Sequence, residues 1–466
     1  MTYKHTAAAE GVVTVPFASA PGLVDEILRV IAPARPSFIY ERSSTRTRHI
    51  DRTYIGFGRR EIDPTPDDAF TSLREHLAAS AHSTAPSQAV MTFMSYETLV
   101  GASGGDTTTP ARLLIDPVFL IDLDHVAGRA TLSGDFRPQL EAIRSAMARA
   151  GSAAAHQPRH PNGDVRLKDW KVRPAEDAFV RNASALQLEM ARRDDVVGAA
   201  LSVELELDAQ LDALEAFQAL RLINPSTCMF FVEDGDFALW GATSLPVLKV
   251  NGRDLTAETD GATRRVEAGS PDDWVPSDKE NAEYDLVVAA LREDLEGLIT
   301  PSSLAFTADR EPRQYFNLRH LFAEISARLA EGTDAVTALQ RLTPHGAATG
   351  YAKPAAIDLI GRFDLCPRGP YAGAIGVFGR DGSADAACVI RSAWKAGSTI
   401  RTRAGAKVVA GSDPAAEYQE SLLKTLPLRR SVGQSLPALE PVQKPRPRPS
   451  QTTLTGLTTG GNGGQR

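Results

Sequence analysis

Apolar and polar positions along the chain follow two periods. Short apolar runs such as Pro36-Ser37-Phe38-Ile39-Tyr40 and Ala89-Val90-Met91-Thr92-Phe93-Met94 read as strands, and residues 139–149 carry helical spacing. Further strands are predicted at 201–207, 228–232, 238–241, 248–250, 374–378, 387–390 and 407–410. Helices are predicted at 175–194, entered after Pro174, and at 278–298, where Ala282, Leu286, Ala289, Ala290 and Leu295 form one apolar face. The same spacing predicts a helix over 317–330. Another runs over 415–426, with Asp413 as its N-cap and Pro414 at its first position. No repeat of 20–50 residues is visible, so a solenoid or propeller is excluded.

Breaks in this pattern divide the chain. Residues 1–10 are small and polar, a disordered start, and 11–155 form a first part. A polar stretch at 156–174, with Pro158, Pro161 and Pro174, reads as a linker. Residues 175–435 form the longer second part. The tail at 436–466 is rich in Pro, Thr, Gly and Gln and is too poor in apolar residues to offset its ordering entropy, so disorder is expected there.

Composition narrows the function class. A formal charge of −7, from 51 basic and 58 acidic residues, excludes a polyanion-binding chain, so no nucleic acid is expected as a partner. No run of 18 apolar residues occurs, and MTYKHTAAAE lacks the order of a signal peptide, so no membrane is expected either. Cys228, Cys366 and Cys388 are too widely spaced for a zinc cluster and too few for a disulfide framework. A soluble, cytoplasmic protein is the expectation.

Candidate chemistry begins with two carboxylate pairs. Glu280 and Glu283, and again Glu417 and Glu420, stand at i and i+3, which places each pair on one helix face. Such spacing also decorates solvated helix faces. If the two helices face each other, four carboxylates need a cation among them, and all-oxygen ligation favours Mg²⁺, Mn²⁺ or Ca²⁺ over zinc. Glycines in the stretch from Arg368 to Gly376 permit close backbone approach to a ligand. Arg391 stands in an apolar strand pattern, Val389-Ile390-Arg391-Ser392-Ala393, and needs a carboxylate partner from protein or ligand. Lys424 follows Glu420 by one helical turn. A divalent cation, an arginine, a lysine and a tyrosine suit a small dianionic substrate.

These residues carry a resemblance. From about Trp170 to Arg430 the chain resembles the chorismate-utilising enzymes, most closely anthranilate synthase component I and aminodeoxychorismate synthase component I. The stretches that match are Ile223-Asn224-Pro225-Ser226 with Met229-Phe230-Phe231, Lys279-Glu280-Asn281-Ala282-Glu283, Arg368 to Gly376, Ile390-Arg391-Ser392-Ala393, Ala404-Gly405-Ala406, Ser412-Asp413-Pro414 and Glu417 to Glu420. Pro36 to Glu41 resembles the family's opening strand. The resemblance implies an α/β fold, a large two-sheet sandwich of antiparallel strands with outer helices, and Mg²⁺-dependent chemistry on chorismate or a derivative. It implies Glu283 and Glu420 as direct Mg²⁺ ligands, Glu280 and Glu417 holding its waters, and Tyr371 and Arg391 on the enolpyruvyl carboxylate. Lys424 would stand near the carboxylate on the metal side, backbone at Gly405 near a substrate carboxylate, and His320 would be the active-site histidine. The alternative reading of His320 is a helix histidine satisfied within the core.

Departures from the family pattern are as informative. Its base or ammonia-guiding residue falls on Gly198, and its general-acid glutamate on Leu245. Neither glycine nor leucine moves a proton, and acid–base catalysis supplies about 10²–10⁴-fold. Lys407 replaces a glycine and either brings a new cation or points to solvent, the former being preferred. Glu258 and Asp260 are either relocated acids or a solvated turn, the turn being preferred. Arg42 stands where tryptophan-making members carry serine, so tryptophan inhibition is not expected. No cysteine sits on a Gly-x-Cys-x-Gly turn, so ammonia, if used, comes from solution or a separate glutamine amidotransferase subunit. Two readings remain: a divergent lyase or aminating enzyme of specialised or aromatic metabolism, and an inactive chorismate-binding regulatory or partner subunit.

Overall fold

The computed structural model describes residues 12–20, 22–44, 49–60, 68–79, 88–102, 108–150, 166–265, 274–315 and 318–435. The expected disordered segments at 1–10 and 436–466 lie outside these residues, as does most of the expected linker. The end of that linker, Lys171–Arg173, is a short strand paired with Glu204 to Glu206.

Among the described residues the strands form two sheets, one of twelve strands and one of eight, with antiparallel pairing throughout. The expected α/β two-sheet sandwich is the fold. Strands from both halves of the sequence share each sheet. Pro36–Ser43 pairs with Cys228–Asp234 in the larger sheet, and Ala89–Met94 pairs with Ala374–Gly379 in the smaller.

Period-two side-chain direction explains why the central strands read as continuous apolar runs. Phe38, Tyr40, Cys228, Phe230 and Val232 of the larger sheet meet Met91, Phe93, Ile375 and Val377 of the smaller in one core between the sheets. The intervening residues, Ile39, Met229 and Phe231, face a second core roofed by helices. There the Ala213–Ile223 helix, capped by Asp212, lays Phe217 against Phe231 with ring centroids 5.8 Å apart. Burying each such side chain is worth about 1.5–3 kcal/mol.

The predicted helix over 317–330 is instead a strand, Leu318–Arg328, paired with Asp254–Arg265 on one side and Ala305–Tyr315 on the other. Leu321, Ala323, Ile325, Ala327 and Leu329 are all buried at every second position. Leu321, Ile325 and Leu329 satisfy a four-residue spacing as well, which is why a helical reading fits them. Arg391 is not within a strand either. It occupies the bend between Ala384–Cys388 and Ser392–Ala396 with φ 48°, so the strand expected at 387–390 ends at Cys388. The solvated turn expected at Glu258 and Asp260 is strand as well, inside Asp254–Arg265. Glu258 is only 2% exposed.

Candidate active site

A cavity of about 480 Å³ opens where Gly198–Asp208 and Thr399–Val409 of the larger sheet meet Asp254–Arg265 and Leu318–Arg328 of the smaller. Two helices contribute to its wall. Asp278–Leu295 starts at Ser277, whose hydroxyl accepts the Glu280 amide, and Pro414–Lys424 starts at Asp413, whose carboxylate accepts the Ala415 amide. Nine of the ten residues singled out from the sequence line this one cavity: Glu283, His320, Tyr371, Arg391, Gly405, Lys407, Glu417, Glu420 and Lys424.

Glu280 is placed differently. Its carboxylate accepts Arg264 Nε at 2.9 Å and Nη2 at 2.7 Å, and it closes a capping box with the Ser277 amide at 2.7 Å. Burial raises its pKa, but the Ser277 amide and Arg264 outweigh that and hold it below the usual carboxylate value. The capping-box spacing Ser-x-x-Glu was visible in the sequence at 277–280 and accounts for this glutamate locally.

At the opposite wall, backbone and side chains are tightly fitted. A Cβ on Gly405 would stand 2.5 Å from the Leu201 carbonyl oxygen and 2.7 Å from Tyr371 Oη, so only glycine fits. Lys424 Nζ donates to the Gly405 carbonyl at 2.9 Å and pairs with Glu420 at 2.9 Å. Tyr371 is buried, and burial pushes its phenol up to about 12, so it stays a hydrogen-bond donor. Behind it, Arg368 is anchored by Asp364 at 3.0 Å and by the Ala348 and Ala200 carbonyls.

His320 lies on a strand rather than a helix, with Nε2 3.3 Å from Arg391 Nη2. Burial, then the charges of Arg391 and Lys424, push its pKa well below 6.5, so the ring is neutral. Since guanidinium only donates, Nε2 accepts and the ring proton sits on Nδ1.

Gly198 and Leu245 both line the cavity, as the resemblance implied for those positions. Two further residues there carry chemistry that the sequence reading underrated, Asp260 and Tyr351. The signal for Asp260 was the extended apolar alternation of Leu255 and Ala257 leading into it, which marks a strand rather than a turn. Lys407 points into the cavity, with Nζ 4.1 Å from the centroid of the Tyr351 ring.

For a divalent cation, Glu283, Glu417 and Glu420 offer hard oxygen donors from two helices that line the cavity, which fits Mg²⁺ in donor chemistry. Among the described residues, no three His, Cys, Asp or Glu side chains already converge on one point.

Comparison with known proteins agrees with this architecture. Residues 35–430 match the model of the family described as chorismate binding enzyme, and the chain belongs to that family. It is 27% identical over 443 residues to anthranilate synthase component 1 of Streptomyces coelicolor, covering 88% of this chain and 86% of that protein. Among solved structures, the menaquinone-specific isochorismate synthase of Escherichia coli superposes with a TM-score of 0.69 at 20% identity, covering 90% of this chain and 94% of that one. Anthranilate synthase component I of Streptococcus pneumoniae superposes with a TM-score of 0.64 at 19% identity, covering 92% and 94%. These two structures share the fold. No helix among the described residues is long and apolar enough to cross a membrane.

Proposed function

We propose that this protein is a Mg²⁺-dependent enzyme that replaces a substituent on chorismate or a close derivative, by lyase or amination chemistry of the anthranilate synthase component I kind. One observation carries the reading: Tyr371, Arg391 and Lys424 share a single cavity with Glu283, Glu417 and Glu420. Basic, phenolic and carboxylate side chains around one such volume support a small dicarboxylate bound together with a cation. Glu283 and Glu420 would hold the metal, with Glu417 on its waters, and bound Mg²⁺ would supply Lewis-acid polarisation of the ligand's oxygens. Tyr371 and Arg391 hold one carboxylate, and Lys424 stands beside the other. Neutral His320 fixes the orientation of the Arg391 guanidinium. If ammonia is the nucleophile, a separate glutamine amidotransferase subunit or free ammonium supplies it.

A second reading, a regulatory or partner subunit that binds chorismate without converting it, is favoured by Gly198 and Leu245 at positions where the family carries its base and acid. Incubation of the purified protein with chorismate, Mg²⁺ and ammonium, followed by mass spectrometry, separates the two. New product that disappears in Glu283→Gln supports the enzyme. Unchanged chorismate with Mg²⁺-dependent binding supports the binding subunit.

A further inference from the structure

We infer that Lys407 and Asp260 are the proton-transfer pair of this cavity, Lys407 as base toward the incoming nucleophile and Asp260 as acid toward the departing hydroxyl. The inference rests on the enzymatic reading above and adds to it the groups that move protons.

Strand register supplies the first argument. Lys407 pairs with Ala200 and Val409 with Gly198, so Lys407 leaves its sheet on the same face as position 198, as a diagonal neighbour. A Cβ built on Gly198 would stand 2.9 Å from Val409 Cγ1 and 3.3 Å from Lys407 Cγ. Val409, the Val408 carbonyl and the lysine stem together crowd the volume that a side chain at 198 would need. An amine reaches the cavity floor from the next strand.

Asp260 arrives from the other sheet, on Asp254–Arg265, and lines the same cavity. Among the described residues the side chains of Asp260 and Lys407 make no salt bridge and no hydrogen bond, in contrast to those of Lys424 and Arg368. Tyr351, whose ring lies under the Lys407 ammonium, is 2% exposed, and its hydroxyl also lacks a partner. A buried polar group left unmatched at a cavity wall, here the Tyr351 hydroxyl beside Lys407, marks where a ligand's polar atom belongs.

Electrostatics supports the roles. Asp260, Glu283 and Lys424 are the charges that bear on Lys407, while Arg391, Lys407 and Lys424 bear on Asp260. Burial pushes the Lys407 ammonium down to about 8, against the upward pull of Glu283 and Asp260. Burial also raises the Asp260 carboxyl, against the pull of Arg391 and the two lysines. Both groups shift toward their neutral forms, the free amine that accepts a proton and the carboxylic acid that donates one.

The step balances. Lys407 Nζ takes a proton from water or ammonia as the new bond to the ring carbon forms and the ring double bonds shift. The carbon–oxygen bond of the ring hydroxyl breaks with its electron pair on oxygen. Asp260 protonates that oxygen and water leaves. The ammonium and carboxylate return to their starting forms by exchanging one proton through solvent.

The test measures chorismate consumption with Mg²⁺, with and without ammonium, in the wild type, Lys407→Met, Lys407→Ala, Lys407→Arg and Asp260→Asn. Chorismate binding is measured in parallel by calorimetry and folding by thermal unfolding. The pair predicts a loss of about 100-fold or more in kcat for folded Lys407→Met and Asp260→Asn, with dissociation constants changed less than about fivefold. It also predicts partial recovery of Lys407→Ala by added ethylamine, which a packing role would not give. Should Lys407→Met not fold, Lys407→Arg and the amine rescue decide. Wild-type turnover that persists in both folded variants, or a loss confined to binding, overturns the pair and leaves the enzymatic reading standing. Wild-type protein that binds chorismate and converts none of it overturns both.

Discussion

Arg42 carries a full charge into the interior, where it pairs with Glu258, approaches Asp385 at 3.5 Å and donates to Cys228 Sγ at 3.3 Å. Tyr40 adds a 2.8 Å bond to Asp385. Burial pushes the Glu258 carboxyl up and Arg42 pulls it back. Removing the cation alone strands a buried carboxylate, so Arg42→Ala should lose about 3–5 kcal/mol in urea unfolding. Arg42→Met with Glu258→Met should recover most of that loss, and equal losses in single and double variants would show that the pair is not the cause. The same cluster occupies the position where tryptophan-making relatives were expected to carry serine. Tryptophan should therefore leave chorismate consumption unchanged, and a micromolar inhibition constant would refute this. Gly405→Ala belongs at this scale too. Its methyl group would collide with the Leu201 carbonyl and the Tyr371 hydroxyl, and chorismate binding should fall at least tenfold by calorimetry.

Helix starts decide what the acidic residues do. Glu280 serves the first turn of Asp278–Leu295 and Arg264, whereas Glu283, one turn on, reaches the cavity. Ser277→Ala should therefore lower stability by about 1 kcal/mol with Mg²⁺ affinity little changed, while Glu283→Gln should weaken Mg²⁺ binding by at least tenfold. Calorimetry with Mg²⁺ checks both. Much of this was legible in the sequence. The helix predicted at 278–298 forms over Asp278–Leu295, and the Asp413-Pro414 start and the strands at 36–40, 89–94 and 228–232 stand where periodicity and capping chemistry put them. The misreading at 317–330 arose where alternate burial coincides with a four-residue spacing, a degeneracy that only strand partners resolve. Asp260 escaped for a similar reason. It looks solvated in its own segment, and the cavity it shares with Lys407, which the sequence did single out as a cation, exists only once the two sheets meet.

At the scale of the whole molecule, buried neutral histidines set the acid limit. His345 accepts the Ala347 amide at Nδ1 and donates from Nε2 to the Glu258 carbonyl, and burial pushes it down to about 4. His125 is likewise pushed down to about 4 by burial, and His320 well below 6.5. An unfolded chain binds protons at these rings near pH 6.5, earlier than the folded one. Stability is therefore complete above about pH 6.5 and falls as the pH drops toward 4, by about 1.4 kcal/mol per unit for a fully shielded ring. The urea midpoint should decline from pH 8 to pH 5, and His345→Gln should flatten that decline; a level midpoint would refute the assignment.

The pairing of Pro36–Ser43 with Cys228–Asp234, and of Ala89–Met94 with Ala374–Gly379, has a consequence for how the chain comes off the ribosome. Early strands must wait for partners synthesised almost two hundred residues later or more, their apolar faces exposed meanwhile. Fragments cut near residue 160 should accordingly be insoluble when made singly and should recover a folded, chorismate-binding complex when made together.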